Sequence, residues 1–152
     1  LQHEPPHTPS TEDNIDRTLA HLQPRFEQAM SRLLDTLHHD GYDFIILETL
    51  RSPERQASLY RQGRHPDSPG PVLTHARAGE SLHEQGLAAD LAPVVRGQAN
   101  TDINDPLSRK AYKALGQAAR DAGLQWGGDW TLADWGHIQW PDNRFAGHKA
   151  LP

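Results

Sequence analysis

Two short stretches of the chain set histidine beside carboxylate. One is Ser81-Leu82-His83-Glu84-Gln85-Gly86-Leu87-Ala88-Ala89-Asp90, and the other is Asp134-Trp135-Gly136-His137. Imidazole and carboxylate are ligands of catalytic zinc, which takes three protein ligands and keeps a fourth position open for water. Water bound there falls from a pKa of ~15.7 to ~7. A carboxylate beside the metal, but not on it, must then accept a proton. His83, Asp90 and His137 supply the three ligands of such a site, and Asp134 the base. There are 10 histidines and no cysteine in 152 residues, so thiolate ligands, cysteine nucleophiles and disulfides are excluded. Spacing alone leaves a plainer reading open, in which His83 is a surface residue and Asp90 a cap. The two lie seven positions apart. On one straight strand they would face opposite ways, so Gly86 must mark a bend, unless the segment is helical.

The elements that must position these residues follow from periodicity and turn signals. Ile15, Leu19, Leu22, Phe26, Met30, Leu33, Leu34 and Leu37 step by three and four, the signature of one helical face capped at Thr11 or Asn14. Pro24 falls inside this run and either kinks the helix or starts a second one. Tyr42 to Leu50 reads as a strand. Ser52-Pro53 opens a helix that runs to about Gln62. His65 to Pro71 is a Pro-rich loop, followed by a possible short strand from Val72 to Thr74. Ala88 to Val95 is a further strand. Asp105-Pro106 starts a helix with Leu107, Tyr112, Leu115, Ala118 and Ala119 on its apolar side. Gln125 to Trp130 is turn-rich, and His137 to Trp140 is a last strand. This order suggests a single α+β domain, a small antiparallel sheet flanked by helices. Residues 1–10 are a Pro-rich extended lead-in, and 11–152 form the domain.

At 152 residues the chain has the size of one domain. Its net charge of -5, with no block of Lys or Arg, argues against binding nucleic acid through phosphate contacts. No apolar run approaches the ~20 residues of a membrane span.

The motifs, taken together, resemble the D-alanyl-D-alanine carboxypeptidase family of zinc peptidases. The likeness is greatest to its L-alanyl-D-glutamate endopeptidases, the branch that holds phage endolysins and bacterial wall hydrolases. The resemblance rests on Arg51-Ser52-Pro53-Glu54-Arg55-Gln56, on Leu59 to Arg64, on Val72 to Asp90 with its Ser-x-His-x-x-Gly-x-Ala-x-Asp string, and on Trp126 to Trp140 with its Asp-x-x-His. It implies a hedgehog-type α+β fold and one zinc ion held by His83, Asp90 and His137. It further implies Asp134 as general base and Arg51 as the donor to the substrate carbonyl. Ser81, His75 and Trp135 would touch or support substrate. The substrate would be the stem peptide of peptidoglycan, cut between L-alanine and D-glutamate by a monomer acting in the periplasm or after secretion. Two other readings stand beside it: a D,D-carboxypeptidase releasing terminal D-alanine, and a non-catalytic, hedgehog-like zinc module. Asp134 favours hydrolysis over the last. Glu80 and Glu84 read as solvated. Gly136 stands where this family often has proline, a departure that would loosen the strand carrying His137.

Overall fold

The computed structural model describes residues 14–142. The Pro-rich lead-in and the Thr11 cap lie outside them. Three α-helices, α1 (Pro24–His39), α2 (Pro53–Arg61) and α3 (Pro106–Asp121), accompany five strands: β1 (Phe44–Glu48), β2 (Ala88–Val95), β3 (Gln98–Ala99), β4 (Gln125–Trp126) and β5 (His137–Gln139). Each helix opens with proline in its first turn, where a missing N–H costs nothing. Ser52 caps α2 by accepting from the Arg55 N–H, and Asp105 caps α3 by accepting from Leu107.

The strands form an antiparallel sheet in the order β1-β2-β5-β4, with β3 folded back on β2. Residues directly opposite each other in such a sheet share a face. Ala89 pairs Ile138, which pairs Trp126, and Ile46 pairs Leu91. That face meets α1 and α3 in the core, where Phe26, Met30, Leu37 and Leu115 are fully buried. Each such side chain gains about 1.5–3 kcal/mol by leaving water. The opposite face carries the polar row Glu48, Asp90 and His137, paired straight across three strands.

Several expectations are corrected. The first helix starts at Pro24, not near Asn14. Residues 14–18 run without helix, and Leu19–His21 makes only a single 3₁₀ turn. The backbone carbonyl of Asp16 instead accepts from the Thr49 N–H at 2.7 Å, tying this segment to the end of β1. Val72–Thr74 is not a strand, and Val72 and Leu73 are exposed. Leu107 is exposed at the start of α3 and lies off its apolar side. The turn-rich segment after Leu124 contains β4.

Candidate metal centre and catalytic cleft

His83 sits in a 3₁₀ turn, Leu82–Gln85, closed at its start by a reciprocal cap. The Ser81 Oγ accepts from the His83 N–H at 3.2 Å, while the Glu84 carboxylate accepts from the Ser81 N–H at 3.2 Å and the Gly79 N–H at 2.7 Å. Glu84 is half-buried and tied to the backbone of its own turn rather than free in solvent, whereas Glu80 is exposed. Gly86 follows at φ +69°, a left-handed residue that ends the turn and lets β2 begin at Ala88. The bend expected between His83 and Asp90 is this one. Asp90 then points from β2 toward its neighbour His137 on β5.

The two imidazoles are oriented from behind. The His83 Nδ1 donates to the Thr49 carbonyl at 2.8 Å, so its bare Nε2 faces the Asp90 Oδ2 at 3.2 Å. The His137 Nε2 donates to the Gln139 Oε1 at 2.9 Å, and the Gln139 amide donates on to the Gln125 Oε1 at 2.8 Å. This leaves the His137 Nδ1 bare toward the Asp90 Oδ1 at 3.1 Å. A hydrogen bond on one ring nitrogen decides which nitrogen is free to ligate. Two imidazole lone pairs and a carboxylate oxygen thus converge, with ligand atoms all within 4.8 Å of one another. Three acceptors gathered in this way call for a cation, and an N,N,O set with space on its open side fits zinc.

Electrostatics agree. Burial by itself would raise the Asp90 pKa, but the His83 and His137 rings outweigh it and hold the carboxyl well below its ordinary value. Burial would lower His137, yet the Asp90 carboxylate beside its bare Nδ1 favours positive charge there and raises it. Asp134 stands at the mouth, with 48% of its side chain exposed and its Oδ2 4.0 Å from the His137 Nδ1. Crowding by surrounding protein, reinforced by the Asp90 charge, lifts its pKa. Its loop is fixed by the Asp134 N–H donating to the Gly127 carbonyl at 2.9 Å.

Arg51 enters from the end of β1. It donates from Nη1 to the Gln56 Oε1 at 2.9 Å, from Nη2 to the Glu48 Oε1 at 2.5 Å, and lies 3.6 Å from the Asp90 Oδ2. Arg55 pairs with the other Glu48 oxygen. Glu48 is only 5% exposed. Burial would raise its pKa, but Arg55 and Arg51 together lower it. Glu48 lies outside every motif, and Gln56 and Gln139 lie inside motifs that assign them no role. Glu48 faces the cleft because the pairing register shifts between Ile46 and Glu48, so that Glu48 rather than Leu47 stands opposite Asp90.

The resulting cleft, about 170 Å³, is lined by Arg51, Ser81, His83, Asp90, Asp134 and His137, with Glu48, Leu59, Leu73 and Thr74. His75 and Trp135 do not line it. His75 is exposed, and the Trp135 ring packs edge-on against Tyr112 and Trp126. The strand carrying His137 is not loosened at Gly136. The Leu91 N–H donates to the Gly136 carbonyl at 2.9 Å, and a Cβ at 136 would lie 2.4 Å from the Leu91 carbonyl oxygen. Glycine is what allows that close approach.

Comparison with known proteins points the same way. Residues 74–140 match the D-alanyl-D-alanine carboxypeptidase family, a span that holds His83, Asp90, Asp134 and His137. The chain is 32% identical over 123 residues to the peptidoglycan L-alanyl-D-glutamate endopeptidase CwlK of Bacillus subtilis, covering 78% of this chain and 72% of that one. Its fold is similar to the L-Ala D-Glu endopeptidase ChiX of Serratia marcescens, with a TM-score of 0.57 and 26% identity over 84% of this chain and 86% of the other. It also matches the D,D-pentapeptidase VanY of the VanB-type resistance cassette, solved with Zn(II), at a TM-score of 0.59 and 19% identity, covering 82% and 75%. That last likeness is one of fold.

Proposed function

Because the chain belongs to the D-alanyl-D-alanine carboxypeptidase family of zinc peptidases, we propose that it hydrolyses the peptidoglycan stem peptide between L-alanine and D-glutamate. The observation that carries the chemistry is the convergence of the bare His83 Nε2, the bare His137 Nδ1 and the Asp90 carboxylate beneath an aspartate at the mouth of the cleft. His83, Asp90 and His137 would hold the metal. Zinc in that position polarises a carbonyl oxygen and makes water acidic enough to ionise near neutral pH.

The chain's own groups do the rest. Asp134 takes the proton from the attacking water and returns it to the leaving amine. Its place at the mouth of the cleft, 4.0 Å from the His137 Nδ1, suits this work. Arg51 commits three of its five N–H donors to Glu48 and Gln56, leaving two for the carbonyl oxygen as charge develops there. The Glu48 and Gln56 contacts fix the fork so that little motion is needed. Ser81 supports His83 through the backbone and also lines the cleft.

The choice of bond draws on the 32% identity to an L-alanyl-D-glutamate endopeptidase. It also draws on the cleft, whose volume admits a few waters and leaves a peptide to lie across the mouth. The substrate class sets the action outside the cytoplasmic membrane; among the described residues no helix is long and apolar enough to cross one. Mass spectrometry of muropeptides after digestion tests the reading. Fragments cut between L-alanine and D-glutamate are expected, whereas loss of one D-alanine from pentapeptide alone would assign the chain to the D,D-carboxypeptidases.

A further inference from the structure

We infer that Arg64 and Arg77, gathered on Tyr60 beside the cleft, form a subsite for the free carboxylate of the glutamyl residue on the amine side of the cut bond. This rests on the endopeptidase reading and adds a recognition element to it. The Arg64 Cζ lies 3.9 Å from the centre of the Tyr60 ring, and its Nη1 donates to the Tyr60 carbonyl at 2.6 Å. The Arg77 Cζ lies 5.6 Å from the same ring, with its Nε donating to the Tyr60 hydroxyl at 3.3 Å. One phenol thus gathers two guanidinium groups on an acidic chain of net charge -5.

Neither cation is neutralised by an ion pair among the described residues, where arginine pairs engage Arg51, Arg55, Arg96 and Arg120. The acid nearest in sequence to Arg77, Glu80, accepts from the Arg77 backbone N–H at 2.9 Å; its charge acts on the guanidinium without pairing with it. The Tyr60 hydroxyl is itself pulled below its ordinary pKa, chiefly by the Arg77 hydrogen bond.

The placement relative to the cleft follows from α2. Gln56, Leu59 and Tyr60 are spaced to share a helix face. Leu59 lines the cleft. Gln56 accepts from Arg51 and donates to the Ala76 carbonyl at 2.6 Å, so residues 76–77 run alongside the helix. Arg51 on Gln56 and Arg77 on Tyr60 are therefore successive rungs, separated along the helix by four residues, or ~6 Å. An extended peptide advances ~3.3 Å per residue, and the carboxyl-bearing group of the following residue reaches beyond that. A carbonyl at Arg51 and a carboxylate on the next residue's side chain or backbone fit that span. Glutamate carries two carboxyls, and chain continuation uses only one of them. The remaining carboxylate is the anion that a pair of forked guanidinium donors would take.

The test uses zinc-loaded protein and two defined stem peptides that differ only in whether this glutamyl carboxyl is free or a carboxamide. The wild type should show a KM about fivefold lower for the free acid at low salt, the upper range for exposed ion pairs. That gap should narrow as salt is added. Arg64→Gln/Arg77→Gln should treat the two peptides alike while retaining stoichiometric zinc. Arg25→Gln/Arg32→Gln, an equal charge change at two exposed positions of α1, should keep the gap. Internal cleavage of both peptides by the wild type with equal KM, or a gap that survives in the double variant, would overturn the subsite and leave the endopeptidase reading standing. Release of D-alanine with no internal cut would overturn both.

Discussion

Glu48, Asp90 and His137 stand on three hydrogen-bonded strands, over a face whose other side is the core. Residues 62–81, which form the opposite wall of the cleft, hold no strand beyond an isolated bridge between His65 and Ser68, and bury only Ala76 and Ser81. Metal ligation needs side chains fixed to within a few tenths of an ångström, and a paired sheet supplies that. Substrate contact tolerates more play and is met by a loop pinned at a few points, among them Gln56 to Ala76 and Gln62 to Pro69. Changes to the floor should therefore alter zinc and stability, and changes to the rim should alter KM.

The sharpest break in that division comes from the ligands. His83→Ala or His137→Ala should lose most of the bound zinc and with it turnover, read by elemental analysis; one zinc per chain in both variants would remove the floor's role. Binding should also weaken on acidification, because imidazole must be neutral to ligate.

Next in size is Glu48. Glu48→Gln leaves Arg51 and Arg55 without their shared anion in a mostly buried place. Breaking such a pair costs about 3 kcal/mol, or roughly 10 °C in Tm for a domain of this size. The pH dependence has a definite sign. The folded pKa of Glu48 lies below its ordinary value of 4.5. Its stabilisation is therefore complete above that value and is lost as pH falls through the lowered folded pKa. Thermal melts of metal-free wild type and Glu48→Gln should differ at neutral pH and converge in acid. A difference independent of pH would deny Glu48 its charge.

Gln139→Leu sharpens the comparison from behind the metal. It removes the acceptor for the His137 Nε2 and should weaken zinc binding about 10- to 100-fold in a competition titration, with unchanged affinity ruling out the Gln125–Gln139 chain as an orienting device. The smallest effect belongs to the rim. Leu73→Ala, at an exposed position lining the cleft, should raise KM a few-fold and change stability by no more than about 0.5 kcal/mol. A large fall in Tm would place residue 73 with the floor.

The same division governs what could be read from the sequence. His83, Asp90, Asp134 and His137 stand in short local motifs, and β2 shows as an apolar run from Ala88 to Val95 because both of its faces are covered. Glu48 was hidden: a one-residue register shift near Leu47 decides which side chain faces Asp90, and nothing local announces it. Gln139 and Gln125 are polar residues on short strands, and they become partners only when β4 pairs β5. The helix expected from Ile15 was a true apolar period in a segment that instead lies along the end of β1, where Asp16 bonds Thr49. Tertiary pairing outweighed local pattern there.

The central claim is that three residues hold zinc while Asp134 moves the proton. Zinc content and stem-peptide hydrolysis measured on one preparation of Asp134→Asn test it most directly. The account predicts one zinc per chain with turnover lower by about 10²–10⁴-fold. Loss of the zinc, or turnover close to that of the wild type, would contradict it.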